Sequence, residues 1–338
     1  MPEVSIIILN WKGKDDTCKC IDSIYKSDYK DFEIILIDND SQDDSLDIFR
    51  KRFTGNKFSN LHLIANKYNA GLAEGFNMGI RNSKGDYVFL LNNDTMLEMS
   101  CISELVKKIK SDKRIAIVSP KIKNLKAYGQ RETSGAILNV LFQVIDVEKK
   151  DFETTMANGT AMLIRKSVFG KEPFVPEYFG NCEDIYISIL ARIKGYEIAI
   201  NPNARLIHTG SVSVSKVPTL MSFHMDKNII LDYFILYNTS TIIRLLPLFV
   251  MMHSIVIMMA IFSGNFVQKI KADLWVIRNL GVIRRCRDAI KKQRRISDEK
   301  LILSSLSYKM PIRGLFGRFV NRVIKICLYI VGLRTRDM

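Results

Sequence analysis

Carboxylates, amides and an imidazole gather in a few short stretches of this 338-residue chain: Asn10-Trp11, Asp38-Asn39-Asp40-Ser41, Asn92-Asn93-Asp94, Glu183-Asp184 and His208. Carboxylate and carbonyl oxygens suit a hard divalent cation such as Mg²⁺, which takes one or two protein ligands and completes its shell with substrate phosphates. A carboxylate near a hydroxyl can also accept its proton as a general base. Asp94, helped by Asn92, is therefore a candidate metal–diphosphate site. A strand followed by an Asn/Asp turn has the same sequence pattern, so this segment alone fits both readings.

The elements that must carry these residues follow from periodicity. Val4–Leu9, Phe32–Ile37, Leu61–Ala65, Tyr87–Leu91 and Ile115–Val118 are apolar runs of strand length, as found in strands buried on both faces. Between them, 14–27, 71–82 and 98–111 read as helices. Ser45 reads as the N-cap of a helix reaching about Phe53. Strand–helix alternation predicts an α/β fold with a mostly parallel sheet covered on both faces. The polar groups after the first, second and fourth strands, with Asn66 after the third, then share one rim, where open α/β sheets bind ligands. Farther on, Thr160–Ile164 reads as a strand, 185–194 as a helix closed by Gly195, and Ile198–Ile200 and Ala204–Ile207 as short strands. Residues 120–160 read as short strands in a mobile acceptor-side region.

The ordered set Val4-Ser5-Ile6-Ile7-Ile8-Leu9-Asn10-Trp11, Ile37-Asp38-Asn39-Asp40-Ser41, Asn69-Ala70-Gly71-Leu72-Ala73-Glu74-Gly75-Phe76-Asn77-Met78-Gly79-Ile80 and Leu90-Leu91-Asn92-Asn93-Asp94-Thr95 resembles family 2 glycosyltransferases of the GT-A fold. In style it is nearest the rhamnosyltransferase-like subgroup. The likeness resumes at Glu183-Asp184 and His208 and covers about residues 3–215. It implies an inverting transferase that moves one sugar from a UDP- or dTDP-sugar, dTDP-rhamnose among them, to a hydroxyl of a glycolipid or polysaccharide precursor. It further implies donor binding by Asn10, Asp38, Asp40, Asn69, Gly71, Asn77, Asn92 and Asn93, with Gly75 shaping the loop near the donor. Asp94 and His208 would hold Mg²⁺ or Mn²⁺, and Asp184, beside Glu183, would be the catalytic base. Asn92 stands where the family's D-x-D motif has its first Asp, and Tyr186 where it often has a further Asp. Arg81 reads either as a diphosphate clamp or as a solvated charge at a helix end.

Composition narrows the alternatives. The six cysteines are scattered without a C-x-x-C pair, which fits a reducing compartment and neither a zinc knuckle nor a disulfide framework. The chain enters a strand at once, so the catalytic part is expected in the cytosol. No G-x-G-x-x-G follows the first strand, against a dinucleotide-dependent oxidoreductase. Residues 264–338 hold 18 Lys and Arg against 5 Asp and Glu, nearly all of the net +15. Nucleic acid and an anionic membrane surface both attract such a region. The basic segment 284–295 lacks the stacking aromatics that single strands need. Leu245–Phe262 is at the lower limit for a bilayer span, and spanning would put 284–295 on the far side, against the positive-inside tendency. An interfacial or re-entrant pair with Phe319–Leu333 fits better. The expected organisation is a GT-A catalytic domain over 1–220 and a helical, basic, membrane-associated region over 221–338. Within the first, 1–120 would bind the nucleotide-sugar and 121–220 would face the acceptor. Attachment is expected at the cytoplasmic face, peripheral or weakly inserted. An inactive scaffold that binds nucleotide without turnover is the alternative.

Overall fold

The computed structural model describes residues 1–125, 132–145, 154–210, 218–311 and 314–337. Residues 211–215, the end of the 3–215 likeness, and parts of the 120–160 stretch lie outside them. The chain divides into two compact units: residues 1–135, 157–187 and 197–217, and residues 136–156, 188–196 and 218–338.

The first unit is built on a mixed sheet. Its strands are β1 (Val4–Asn10), β2 (Phe32–Asp38), β3 (Leu61–Ala65), β4 (Tyr87–Asn92), β5 (Thr95–Leu97), β6 (Ile115–Asn124), β7 (Glu132–Thr133), β11 (Ala161–Arg165) and β12 (Glu197–His208). Their order is β3-β2-β1-β4-β11-β6-β12-β5, with β7 beside β6. The run β3-β2-β1-β4 is parallel throughout, as is β6–β12. The expected strand at 160–164 enters antiparallel between β4 and β6, so the sheet is less parallel than periodicity alone predicts. The two short strands expected at 198–207 are one strand, interrupted in register between Asn201 and Arg205. The helix expected at 98–111 spans Cys101–Ser111, because Met99 and Ser100 form a turn after β5.

Both faces of the central strands are apolar because helices cover them. In α1 (Lys14–Tyr25), Thr17, Cys20, Ile21 and Ile24 fall on the buried side. In α3 (Gly71–Asn82), Ala73, Phe76 and Ile80 do the same, and α4 (Cys101–Ser111) buries Ile102, Leu105, Val106 and Ile109. At α2 (Ser45–Arg52), Ser45 is the first helical residue rather than the cap, because Asp43 accepts its N–H. Gly195 closes α6 (Glu183–Ile193) at φ +81°, the left-handed geometry glycine allows.

The second unit contains a three-stranded sheet, β8 (Gly135–Leu138) with β9 (Val144–Ile145) and β10 (Met156–Ala157), and a set of helices. The helices are α7 (Pro218–Leu236), α8 (Thr239–Phe262), α9 (Phe266–Arg278), α10 (Leu280–Gln293), α11 (Asp298–Ser305) and α12 (Gly314–Ile330). The Tyr237 hydroxyl donates to the Val140 carbonyl (2.9 Å) and its ring stacks on Phe142. Thr155 donates to the Ser305 carbonyl (2.6 Å).

A Cβ on Gly79 would overlap the Ile7 side chain on β1, whereas one on Gly281 would meet open space. Overpacking a filled interior costs about 1–3 kcal/mol, and each kcal/mol shifts a transition by roughly 2–4 °C. Gly79→Ala should therefore lower the thermal midpoint by several degrees, and Gly281→Ala should leave it unchanged or raised. Scanning calorimetry of the two variants checks this.

Candidate active site

The carboxyl ends of β1 and β2 meet in a buried polar knot. Asp38 Oδ1 accepts from the Asn10 amide (2.7 Å) and the Ser41 hydroxyl (2.6 Å), and its Oδ2 accepts the Ser41 N–H (3.1 Å). Asn10 also donates to Ser41 Oγ, while its own Oδ1 accepts from Gly13 N–H and Thr17 Oγ1. With both amide hydrogens donated and no exposure, Asn10 orients Asp38 and keeps nothing for a donor sugar. Asn93 donates to the same Thr17 (2.9 Å), fastening the rim turn to α1. Asp40 sits at φ +60° and accepts from Gln42.

Asn39 has no role in the motif reading, yet it organises the adjoining loop. Its amide donates to Asn69 Oδ1 (2.9 Å) and the Gly71 carbonyl (3.1 Å), and its Oδ1 accepts from Asn66 (2.9 Å) and Ala70 N–H (3.0 Å). Gly71 has φ +76°, and a Cβ there would strike the Phe179 backbone; the Phe179 carbonyl accepts the Leu72 N–H. Glycine is thus required by close approach to 179. Two expectations need correction. Gly75 lies inside α3, where a Cβ would strike Leu9, so it serves helix–sheet packing. Asn77 is buried with its amide bonded to Phe174 in both directions (3.0 Å each) and to Glu74, so it is a scaffold bridge. Arg81 pairs with Glu74 and Glu172 at the surface, which is the solvated-charge reading and not the clamp.

The register of β12 brings the predicted metal residues together. His208 lies opposite Thr95 of β5 and Asn124 of β6. The His208 Nε2 to Asp94 Oδ1 distance is 3.2 Å. The two are misaligned for a hydrogen bond, and Asp94 Oδ2 and His208 Nε2 are both buried without a hydrogen-bond partner. On its other side, His208 Nδ1 lies 3.1 Å from Asn124 Oδ1. Because the Asn124 amide nitrogen donates to Thr133 Oγ1 (3.0 Å), its oxygen faces the imidazole and accepts Nδ1–H. That tautomer leaves the Nε2 lone pair for a cation. Two buried acceptors side by side fit a divalent ion. Among the described residues no third His, Cys, Asp or Glu joins them in a metal-binding group. Asn92 stands at the end of β4, half-buried, and its N–H donates to the Thr160 carbonyl (2.9 Å).

Thr160 adjoins the acidic pair. Asp184 Oδ2 accepts the Gly159 N–H (3.1 Å) and Oδ1 accepts the Ile185 N–H (2.9 Å). Glu183 is buried, and its Oε2 has no partner. Burial and the neighbouring Asp184 charge push the Glu183 carboxyl up to about 8. Burial also raises Asp184, but its two backbone N–H donors favour its charged form. Burial and mutual repulsion thus disfavour a second charge in the pair, while the backbone donors favour the charged form at Asp184. Asn158 donates to Thr133 Oγ1 (3.2 Å), the same oxygen that receives Asn124. A hydrogen-bonded chain thus runs His208–Asn124–Thr133–Asn158 to the residue next to Gly159. Asn124, Thr133 and Asn158 were not legible as site residues, although Asn158-Gly159 before a strand is a turn signal.

Residues 5–172 match the family model Glycosyl transferase family 2. The chain is 33% identical over 113 residues to the Escherichia coli UDP-Glc:alpha-D-GlcNAc-diphosphoundecaprenol beta-1,3-glucosyltransferase WfaP, covering 33% of this chain and 43% of that protein. It is 25% identical over 190 residues to the Campylobacter jejuni GalNAc(5)-diNAcBac-PP-undecaprenol beta-1,3-glucosyltransferase, covering 56% of this chain and 60% of that one. The chain thus spans less than two thirds of either curated relative. Among solved structures, the Pyrobaculum calidifontis mannosyltransferase PcManGT, in complex with GDP-Man and Mn²⁺, superposes with a TM-score of 0.52 at 13% identity, over 98% of this chain and 86% of that one. The fold is GT-A, and residues 5–172 resemble family 2 glycosyltransferases.

The raised Glu183 carboxyl has a sign that can be checked. Its proton is held more tightly folded than unfolded, so its stabilisation is complete below the ordinary 4.5 and is lost as pH rises through about 8. Glu183→Gln should flatten the fall in unfolding midpoint between pH 5 and 9. Thermal unfolding of both proteins across that range measures the slope.

Proposed function

We propose that this chain is an inverting glycosyltransferase that moves one sugar from a UDP-sugar to a hydroxyl of a lipid-linked saccharide at the cytoplasmic face of a membrane. The observation that carries this reading is the Asp184 carboxyl, held by two backbone N–H groups and joined through Thr133 to the Asp94–His208 acceptor pair. Asp38 Oδ2 accepts only one N–H, so it retains lone-pair capacity for a pyrimidine N–H or a ribose hydroxyl. The Asn39-ordered loop 66–71 supplies the adjoining wall.

Asp94 Oδ2 and His208 Nε2 would hold a Mg²⁺ or Mn²⁺ ion bound chiefly through the donor diphosphate. Such an ion, when bound, neutralises charge growing on the departing diphosphate. Asp184 accepts the proton of the acceptor hydroxyl, whose oxygen bonds to the anomeric carbon as the carbon–diphosphate bond breaks. One displacement at that carbon inverts its configuration. The protonated Glu183 beside it adds no second charge to repel the diphosphate.

The donor class draws support from the Escherichia coli relative, whose name carries UDP-Glc, and the acceptor class from both relatives, whose names carry an undecaprenol-linked acceptor. A dTDP-sugar presents the same pyrimidine edge to Asp38, so dTDP-rhamnose is the second donor to assay. Undecaprenyl diphosphate-linked sugars are the acceptors to supply. Asp184→Asn should keep UDP affinity within about twofold and lower transfer by about 10²–10⁴, the range of general-base catalysis. Parallel loss of binding and transfer would contradict the base assignment.

A further inference from the structure

The outward face of α8 reverses the usual pattern of a surface helix. Its exposed positions recur at helical spacing as Ile243, Leu246, Val250, Ser254, Met258 and Ile261, ending at Phe262. None is charged, and Phe262 is 91% exposed. A soluble surface helix places charged and polar residues there. By length and composition, α8 is the helix among the described residues apolar enough to cross a membrane.

Its inward face argues against crossing. Arg244, near its start, donates to the Val331 carbonyl (2.8 Å) and the Gly332 carbonyl (2.9 Å) and pairs with Glu299. At mid-length His253 faces Asp273 of α9 at 3.1 Å. Phe249 stacks on Tyr233 of α7, and the Tyr233 hydroxyl donates to the Ile242 carbonyl (2.7 Å). Crossing would strip these partners and carry His253 and Arg244 into or against hydrocarbon, at a cost of several kcal/mol.

The α12 helix supplies the second observation. Leu315, Phe319, Ile326, Tyr329 and Ile330 form one exposed apolar row, while Ile324 and Leu328 on the opposite side are buried. Arg322 falls within that row, and Arg318 and Lys325 run along one side of it, all three exposed. Bulky apolar residues interleaved with long basic ones are the pattern of a helix lying in a membrane interface, the basic heads reaching up to lipid phosphates.

We propose that the exposed face of α8 and the apolar row of α12 dock this unit on an anionic bilayer, with both helices in the plane of the interface and neither spanning. The occupant is lipid because the α8 face is uncharged along its whole length and the α12 row is interleaved with cations, which anionic headgroups complement. This rests on the membrane-bound acceptor of the proposed reaction for its purpose, but binding is read without substrate.

The test is flotation of the full chain with vesicles of phosphatidylcholine alone or with phosphatidylglycerol. Preferential binding to the anionic vesicles, weakened by salt and released by alkaline carbonate, is expected. Arg318→Gln with Arg322→Gln and Lys325→Gln should weaken it about tenfold or more, and Phe319→Ser with Phe262→Ser should abolish it. UDP titration of the same variants, unchanged from the parent, shows that they remain folded and that the donor site is independent. Resistance to carbonate would establish a span and overturn the proposal. Failure of the parent to float, equal binding to both vesicles, or a dimer covering these residues would overturn it too.

Discussion

Two buried lone-pair atoms without hydrogen bonds, Asp94 Oδ2 and His208 Nε2, are the constraint around which the catalytic unit is arranged. An unsatisfied buried polar group costs about 1–3 kcal/mol, so a fold keeps two of them side by side only where something else completes them. The β12 register sets His208 against Thr95 and Asn124, and Asn124 fixes which imidazole nitrogen faces Asp94. A divalent cation carrying phosphate oxygens would complete both atoms at once. With so few protein ligands, its binding would depend on the nucleotide.

The acidic pair answers a different electrostatic demand. Two adjacent buried carboxyls cannot both ionise cheaply, and the backbone decides between them. Gly159 and Ile185 donate to Asp184, while Glu183 Oε2 has no donor. The backbone donors therefore favour the charged form at Asp184 rather than at Glu183. Thr133 receives both Asn124 and Asn158, linking the His208 strand to the turn beside the acidic pair.

Much of the scaffold was legible because parallel strands buried on both faces leave uninterrupted apolar runs: β1, β2 and β4 fall within a residue of where those runs predict. The antiparallel entry of β11 was not, since strand direction depends on distant pairing. Rim residues divided for the same reason. Position after a strand singles out Asp38, Asp94 and His208 as candidates, but residue type says nothing about whether an amide is already engaged. Asn10 and Asn77 are engaged from partners 28 and 97 residues away, and Gly75 answers to a leucine on β1. Asn124 lies 84 residues from His208, with no local signal to mark it. The amphipathic character of α12 and the apolar run of α8 were readable, but not the inward Arg244 and His253 pairings.

Calorimetric titration of the purified full chain with UDP, with and without Mn²⁺, tests the central claim most directly. The account predicts that Mn²⁺ tightens UDP binding, and that Asp94→Ala and His208→Ala each remove the metal-dependent part while leaving the metal-free affinity in place. UDP binding that is indifferent to Mn²⁺ in the parent protein, or metal dependence that survives both substitutions, would contradict it.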